Sequence, residues 1–505
     1  MQQVERWKYF EFAMQADVSK LENPFTQAKV KVRVEGPDGA RRLDGFYAGG
    51  GRFAARYMPG HTGVYTLTVK SNLPELNGAR AQFEAVPAAA DNHGPAVADG
   101  AHFRYADGAR LFVMGTTAYV WHHRPQSVRE RTLESFSKYG FNKIRMLFFP
   151  KHYTGSYGKI DVSYEPPCYP FEGEKGRFDF SRPNPAYFDQ FEDRLRELDA
   201  RGIMADVILF HPYDFGHWDI DYGMDEDDAL FYLRYIVARL SAFKNVWWSL
   251  ANEYDVVMGE DRKTMRVGDN RRDWDVIGEL IRARDPSGHP ISCHNISFGR
   301  IYPDRHWMSH VSYQHPDAYA LMLELKAAYR KPVIDDEYQY EGNTPDDWGN
   351  SPAGLEVERH WLSVMAGGYA THGEALIRDG NNRDIFWAYG GEMTGQSAPR
   401  LRFLKQIVMS VPFERMERNW INTDGRNYFC LSEGDRVYLV FVREDMPGKQ
   451  LWLGAWAGDR AALRYRARVY DAWQCKLLSD RVIGAGDAPP LRAWNVMVLE
   501  KIEDQ

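Results

Sequence analysis

Three regimes of hydrophobic and polar alternation follow one another along the chain. Up to about residue 87, apolar and polar positions alternate in short runs: AKVKVRV (28–34), RFAARYM (52–58) and GVYTLTV (63–69). Gly and Pro separate these runs, as in EGPDG (35–39) and MPGHTG (58–63). A period of two puts alternate side chains on one face of a pleated strand, and frequent turns fold such strands into an antiparallel sandwich. The small, polar, Pro-bounded stretch PAAADNHGP (87–95) reads as a linker. From about 97 to 412 short apolar runs alternate with longer amphipathic segments, the pattern of βα units on a parallel sheet. Eight strands are predicted: RLFVMGTT (110–117), NKIRMLFF (142–149), IMADVILF (203–210), VWWSLANE (246–253), PISCHNI (290–296), HVSYQHP (310–316), PVIDDEYQ (332–339) and GGYATHGE (367–374). Helical patterns at 185–202 and 227–243 lie between them. The second keeps Leu230, Leu233, Ile236, Val237 and Leu240 on one face at helical spacing. Eight such repeats predict a (β/α)8 TIM barrel with loop insertions. After 413 the period of two returns in RVYLVFV (436–442), QLWLGAW (450–456), RYRARVYDAW (464–473) and NVMVLEK (495–501). The expected fold is α/β: a sandwich at 1–90, the barrel at 97–412 and an antiparallel β-domain at 413–505.

Composition narrows the function. The chain has 505 residues, 44% hydrophobic and 26% charged, as an ordinary globular protein has. A net charge of −7 without a basic run gives no nucleic-acid footprint. No stretch reaches the roughly 18 apolar residues of a membrane span. The N-terminal MQQVERWKYFEFAM carries charges where a signal peptide has an apolar core, so a cytoplasmic location is expected. Cys168, Cys293, Cys430 and Cys475 are scattered without metal-ligand spacing and read as reduced thiols. Aromatic residues reach 14%, with 15 Trp and 29 Tyr, which suits β-rich cores and also stacking against sugar rings.

In a barrel the reactive side chains sit where strands run into the loops at their C-terminal ends. The fourth predicted strand ends in Asn252-Glu253 and the seventh in Asp335-Asp336-Glu337. Two carboxyls in one mouth supply what glycosidic cleavage needs: an acid for the leaving oxygen, and a nucleophile or base at the anomeric carbon. Alternation puts Asp335 and Glu337 on one face, so periodicity alone does not choose between them; position nearest the loop favours Glu337. Asp336 is expected to face the helices or to pair with a basic residue. His211, His294, His315 and His372 fall near strand ends, but the first strand, FVMGTTAYVW, lacks the His-x-His of metal-dependent barrel hydrolases. Neither a metal nor an organic cofactor is expected.

A strand-four Asn-Glu with a strand-seven Glu resembles glycoside hydrolase clan A, which includes families five and thirty-nine. The resemblance implies a retaining mechanism, with Glu253 as acid/base, Glu337 as nucleophile and Asn252 holding the 2-hydroxyl of the sugar. Retention sets the two carboxyls about 5–5.5 Å apart. It further implies that Arg145 keeps the nucleophile ionised and that His211 binds sugar. Tyr313 or His315 would stand beside the nucleophile, and Trp387 would stack on the sugar. The stretches KPVIDDEYQYEGN, WGN and GGYATHGE closely resemble a group of bacterial predicted glycosidases with a β-sandwich before the barrel and a β-domain after it.

Glu374 is expected either to contact substrate or to brace the loop DGNNRD (379–384). The long loop HPYDFGHWDIDYG (211–223) is expected to shape the terminal-sugar subsite, or else to be a packed lid. Trp7, Phe46 and Tyr47 are expected in a core or interface rather than on a stacking surface. Long mouth loops, including the 150–184 insertion, favour a pocket and hence exo action on oligosaccharides or glycosides. Endo action on a polysaccharide, a non-catalytic carbohydrate-binding barrel and a transglycosylase are the alternatives. The expected partner is a carbohydrate, with no nucleic acid and no membrane, and a homo-oligomer is compatible.

Overall fold

The computed structural model describes residues 1–153, 165–212, 216–261, 264–268, 272–378, 385–445, 453, 463–484 and 491–503. At its centre is an eight-stranded parallel sheet: Gly115–Thr117, Lys143–Leu147, Met204–Phe210, Val246–Ala251, Ile291–Ser292, Val311–Tyr313, Val333–Asp335 and Tyr369–His372. Each lies inside one of the eight predicted runs. Numbered along the barrel, their order is 5-4-3-2-1-8-7-6. The fifth and sixth meet through Ser309, whose backbone N–H donates to the Ile291 carbonyl (3.0 Å). The strands are shorter than the apolar runs because residues flanking the ladder, such as 111–114 before the first strand and Phe148 and Phe149 after the second, are buried as well.

Local chemistry sets the helices. Asn184, followed by Pro185, caps Pro185–Asp199 by accepting from Ala186 N–H. Asp225 caps Glu226–Leu240, whose Leu233, Ile236, Val237 and Leu240 are buried as their spacing predicts. Leu230 on the same stripe is only partly buried, packed at the margin of the core. At the barrel's lower end the hairpin Ala96–Asp99 and His102–Tyr105, read from sequence as the barrel's opening stretch, forms a plug. Its Phe103 lies against Trp247, His310 and Tyr369 at ring distances of 4.8–5.5 Å.

The N-terminal unit is a sandwich of a five-stranded and a three-stranded sheet, in which all three predicted runs are strands. Arg56 joins it to the barrel. Its guanidinium bonds Glu11 of its own sheet (2.7 Å), the barrel-helix Glu192 (2.9 Å) and the Arg239 carbonyl (2.9 Å), and Arg239 also holds Glu192 (2.6 Å). Phe46 lies under both guanidiniums and Trp7 is buried beneath Arg6, so neither offers a stacking surface. The C-terminal unit is a six-stranded antiparallel sheet. It packs on the barrel through Trp361 stacked on Phe441 (5.4 Å) and Tyr319 against Phe429 (4.7 Å). The strands Tyr428–Glu433 and Lys476–Gly484 escaped the sequence reading; QLWLGAW lies outside the described residues except for the buried Leu453.

Candidate active site

Asn252 and Glu253 follow the fourth strand directly. Asn252 N–H bonds the Phe210 carbonyl (3.0 Å) and Tyr254 N–H bonds that of His294 (2.8 Å), tying this end to its neighbours on both sides. Glu253 has φ 56°, in the left-handed region. For a residue with a β-carbon that conformation costs roughly 1–3 kcal/mol, and such strain gathers where a side chain must be aimed. Asp255 accepts from the backbone of Ile296 (2.7 Å) and Ser297 (3.1 Å), locking the fourth and fifth loops together.

Glu337 stands two residues past the seventh strand. Its Oε1 accepts from Arg145 Nη1 (2.5 Å) and from the Tyr119 hydroxyl. Arg145 Nη2 donates to Asn252 Oδ1 (2.6 Å), so one guanidinium binds the nucleophile candidate and the residue beside Glu253. Beneath lies a buried polar layer. Lys143 Nζ bonds Asp206 and Asp336 (2.9 Å each), and Asp336 also accepts from Ser312 (2.6 Å) and Thr371 (2.5 Å). Asp336 therefore points into the barrel and pairs with a basic residue. Asp335 turns outward to Tyr313 and the Arg359 side, so the expected shared face of Asp335 and Glu337 does not exist: the strand ends at Asp335, and alternation ends with it.

The neighbours drive the two glutamates apart. Burial alone pushes the Glu337 carboxyl up, but Arg145, His294 and the Tyr119 hydroxyl outweigh it and hold the group below the usual carboxylate range. Burial raises Glu253 well above that range, and the charge of Glu337 raises it further, while Lys151 and Arg145 pull the other way. Lys151 is buried, with its ammonium 4.4–4.9 Å from the ring centres of Tyr119, Tyr153 and Trp387. Burial brings its own pKa down to about 8, against the pull of both glutamates. Tyr119, Lys151, Tyr340 and Trp348 were not singled out from sequence. Tyr119, Lys151 and Tyr340 stand on loops past the strand ends and Trp348 in the short 3-10 turn Asp347–Gly349, where no periodicity marks them.

The remaining predicted positions divide. Trp387 is in the mouth's aromatic cluster, 4.5 Å from Trp348 and 5.6 Å from Tyr119, but only 4% exposed. His211, directly after the third strand, is buried, lines a small cavity with Asn252 and Glu253 and bonds the Pro150 carbonyl (3.2 Å), and burial lowers its pKa to about 3. Tyr313 lies against Asp335, and its place beside Glu337 is taken by Tyr119 from the first strand's loop. His315, half-buried, accepts from Asp317 N–H (2.9 Å) and packs on Phe298 (4.8 Å). Glu374 is a brace: it accepts from the backbone N–H groups of Thr394 (2.9 Å) and Gly395 (2.8 Å). Beside it Glu341 accepts from those of Gln396 (2.8 Å) and Ser397 (2.9 Å). Glu341, His372 and Glu374 are close enough to hold a metal ion, yet His372 bonds Thr116 (2.9 Å) and Ser397 (3.1 Å), so all three are engaged. The loop 379–384 is outside the described residues. In the loop 211–223, of which 213–215 are also outside, Trp218 is fully buried and donates to Glu165 (2.8 Å), as a packed lid does.

Known proteins share the barrel and its flanking sheets. The profile described as "Apiosidase-like, catalytic domain" matches residues 98–414, and that of "Domain of unknown function (DUF5060)" matches residues 3–72. No curated protein sequence is significantly similar. The crystal structure of a protein taken to be a glycoside hydrolase from Bacteroides vulgatus ATCC 8482 is similar over 99% of this chain and 100% of its own. Its sequence identity is 32% and the TM-score 0.86. A glycoside hydrolase family 5 structure from the same organism shares the fold at 17% identity and TM-score 0.59, over 81% of this chain and 92% of its own. The fold is that of the glycoside hydrolase barrels, with a sheet domain on either side. Among the described residues, no helix is long and apolar enough to cross a membrane.

Proposed function

The chain belongs to the family of Apiosidase-like catalytic domains, and from that premise we propose that it is a retaining glycosidase that removes terminal sugars from oligosaccharides or glycosides. Glu337 is its nucleophile and Glu253 its acid/base. One observation carries this reading: of two carboxyls just past the fourth and seventh strands, Arg145 at 2.5 Å favours ionisation of Glu337, while burial and the charge of Glu337 favour protonation of Glu253.

The chemistry follows from that difference. Ionised Glu337, with Oε1 held by Arg145 and Tyr119, turns its second oxygen to the anomeric carbon. The carbon–oxygen bond to the leaving group breaks as Glu253 gives that oxygen its proton. Glu253, now a carboxylate, takes a proton from water, and the water oxygen displaces Glu337 from the sugar, returning both groups to their starting states. Arg145 keeps the nucleophile charged and, through Asn252, keeps the fourth strand end in register with it.

The test is nitrophenol release from a panel of nitrophenyl glycosides, pyranosides and furanosides both. Apiofuranosides come first because of the family's name. Turnover of one glycoside, lost by several orders of magnitude in Glu337→Gln, is the expected result. Proton NMR of the first-formed sugar should show the anomer of the substrate; the opposite anomer would rule out the double displacement. Wild-type protein inert to every simple glycoside but active on a polysaccharide would favour endo action.

A further inference from the structure

Beside Glu337 the mouth opens into a pocket of about 450 Å³, a volume suited to a small ligand. Of the four aromatic residues in its wall, Tyr338 and Tyr340 are buried, and Phe298 and Trp348 keep exposed surface. Phe298, from the loop after the fifth strand, is 51% exposed, although large apolar side chains are usually covered. It is held by His315, the ring centres 4.8 Å apart. Trp348, from the segment after the seventh strand, is half-buried and backed by Trp387 at 4.5 Å. Gln314 also lines the pocket, and its buried amide oxygen has no hydrogen-bond partner among the described residues, which is costly unless a ligand supplies a donor. The charged lining residues are Glu337, Asp346 and Asp347; Lys, Arg and His are absent from the described lining.

We infer that this pocket is the subsite for the terminal sugar, that Phe298 and Trp348 bind the sugar's apolar face, and that the sugar is neutral rather than a uronic acid. The inference rests on the proposed hydrolase reading and adds the substrate class. Attack requires the anomeric carbon to lie against Glu337. Glu337 borders this pocket and Glu253 does not, so the ring occupying it is the one attacked, with the leaving group toward Glu253. Sugar rings present C–H faces that pack on aromatic rings, and hydroxyl donors that an unpaired amide oxygen accepts. Three carboxyls without a lining cation repel a sugar carboxylate.

The experiment combines kinetics with binding. On the glycoside that wild-type protein turns over best, Phe298→Ala should lower kcat/KM about tenfold or more. Phe298→Tyr should restore it, and thermal unfolding of both should match wild type because Phe298 is an exposed side chain. Nitrophenyl uronides should be at least a hundredfold poorer than the neutral sugar of the same configuration. Unchanged kcat/KM in Phe298→Ala, or preference for a uronide, overturns the inference while leaving the hydrolase reading in place. If wild-type protein is inert to all glycosides and to polysaccharides, the hydrolase reading falls. The pocket is then decided by tryptophan fluorescence during titration with free neutral monosaccharides. A saturable change that Phe298→Ala abolishes supports the subsite, and no change overturns it.

Discussion

Glu253 and Glu337 carry the same carboxyl group, and only their neighbours make one an acid and the other an anion. Glu337 must be ionised to attack, and Arg145 favours its charged form. Removing that cation in Arg145→Met raises the Glu337 pKa, so the acid limb of kcat/KM should move up by roughly one to three pH units. Glu253 must be protonated for the first step, so the alkaline limb follows its raised pKa. Lys151 favours the charged form of Glu253 and so lowers that pKa. In Lys151→Met the pKa rises, and the alkaline limb should move to higher pH. Both limbs can be read from one kcat/KM–pH series on each variant. An alkaline limb that stays in place or moves down in Lys151→Met would mean that the lysine does not act on the acid/base.

At the scale of elements, the short strand pair Glu341–Gly342 and Glu374–Ala375 presents two buried carboxyls to consecutive backbone N–H groups at the start of the helix Ser397–Met409. A β-carbon at Gly395 would come within 2.4 Å of Glu341, so the backbone can approach this closely only with glycine. Burial raises the Glu374 carboxyl to about 7; the Thr394 and Gly395 N–H groups oppose that and Glu341 reinforces it. Its proton is therefore held more tightly folded than unfolded. Between about pH 4.5 and 7 the folded form binds more protons, so the stability from this group is present at low pH and is lost as pH rises to 7. The loss amounts to about 3 kcal/mol. In Glu374→Gln the group no longer titrates, and Tm measured across that window should fall less steeply with pH than in wild type. Parallel curves would show that the carboxyl does not titrate there.

At the scale of the molecule, the N-terminal sandwich is joined to the barrel by charges buried at the junction. Arg56 and Arg239 share Glu192, and all three side chains are 5% exposed or less. A buried ion pair is weak evidence of net stability, but breaking one leaves an uncompensated charge in a dry interface. Glu192→Ala leaves two guanidiniums facing each other there, and the urea midpoint should reflect a loss of about 3–5 kcal/mol. Glu192 touches neither candidate carboxyl, so kcat/KM of the folded variant should stay near wild type. A large drop in activity at unchanged stability would instead couple the sandwich to the site.

The sequence by itself determined the layout: two alternating β regions around eight βα repeats, each strand marked by a short apolar run. Burial forces that periodicity on any chain that folds this way. It also marked Asn252, Glu253 and Glu337, because a barrel places reactive side chains at strand ends and strand ends can be read from where the apolar runs stop; Arg145, in the middle of its strand, was marked only by the resemblance to clan A. Periodicity alone did not separate Asp335 from Glu337, since the last strand residue, where alternation ceases, is set by hydrogen bonds to other strands. Only the tertiary structure brought Tyr119 and Lys151 to the carboxyls, set Phe298 and Trp348 around one pocket, and turned Glu374 from the mouth to a loop. These residues stand on irregular segments distant in sequence, whose positions depend on what packs beneath them, and no local period records that.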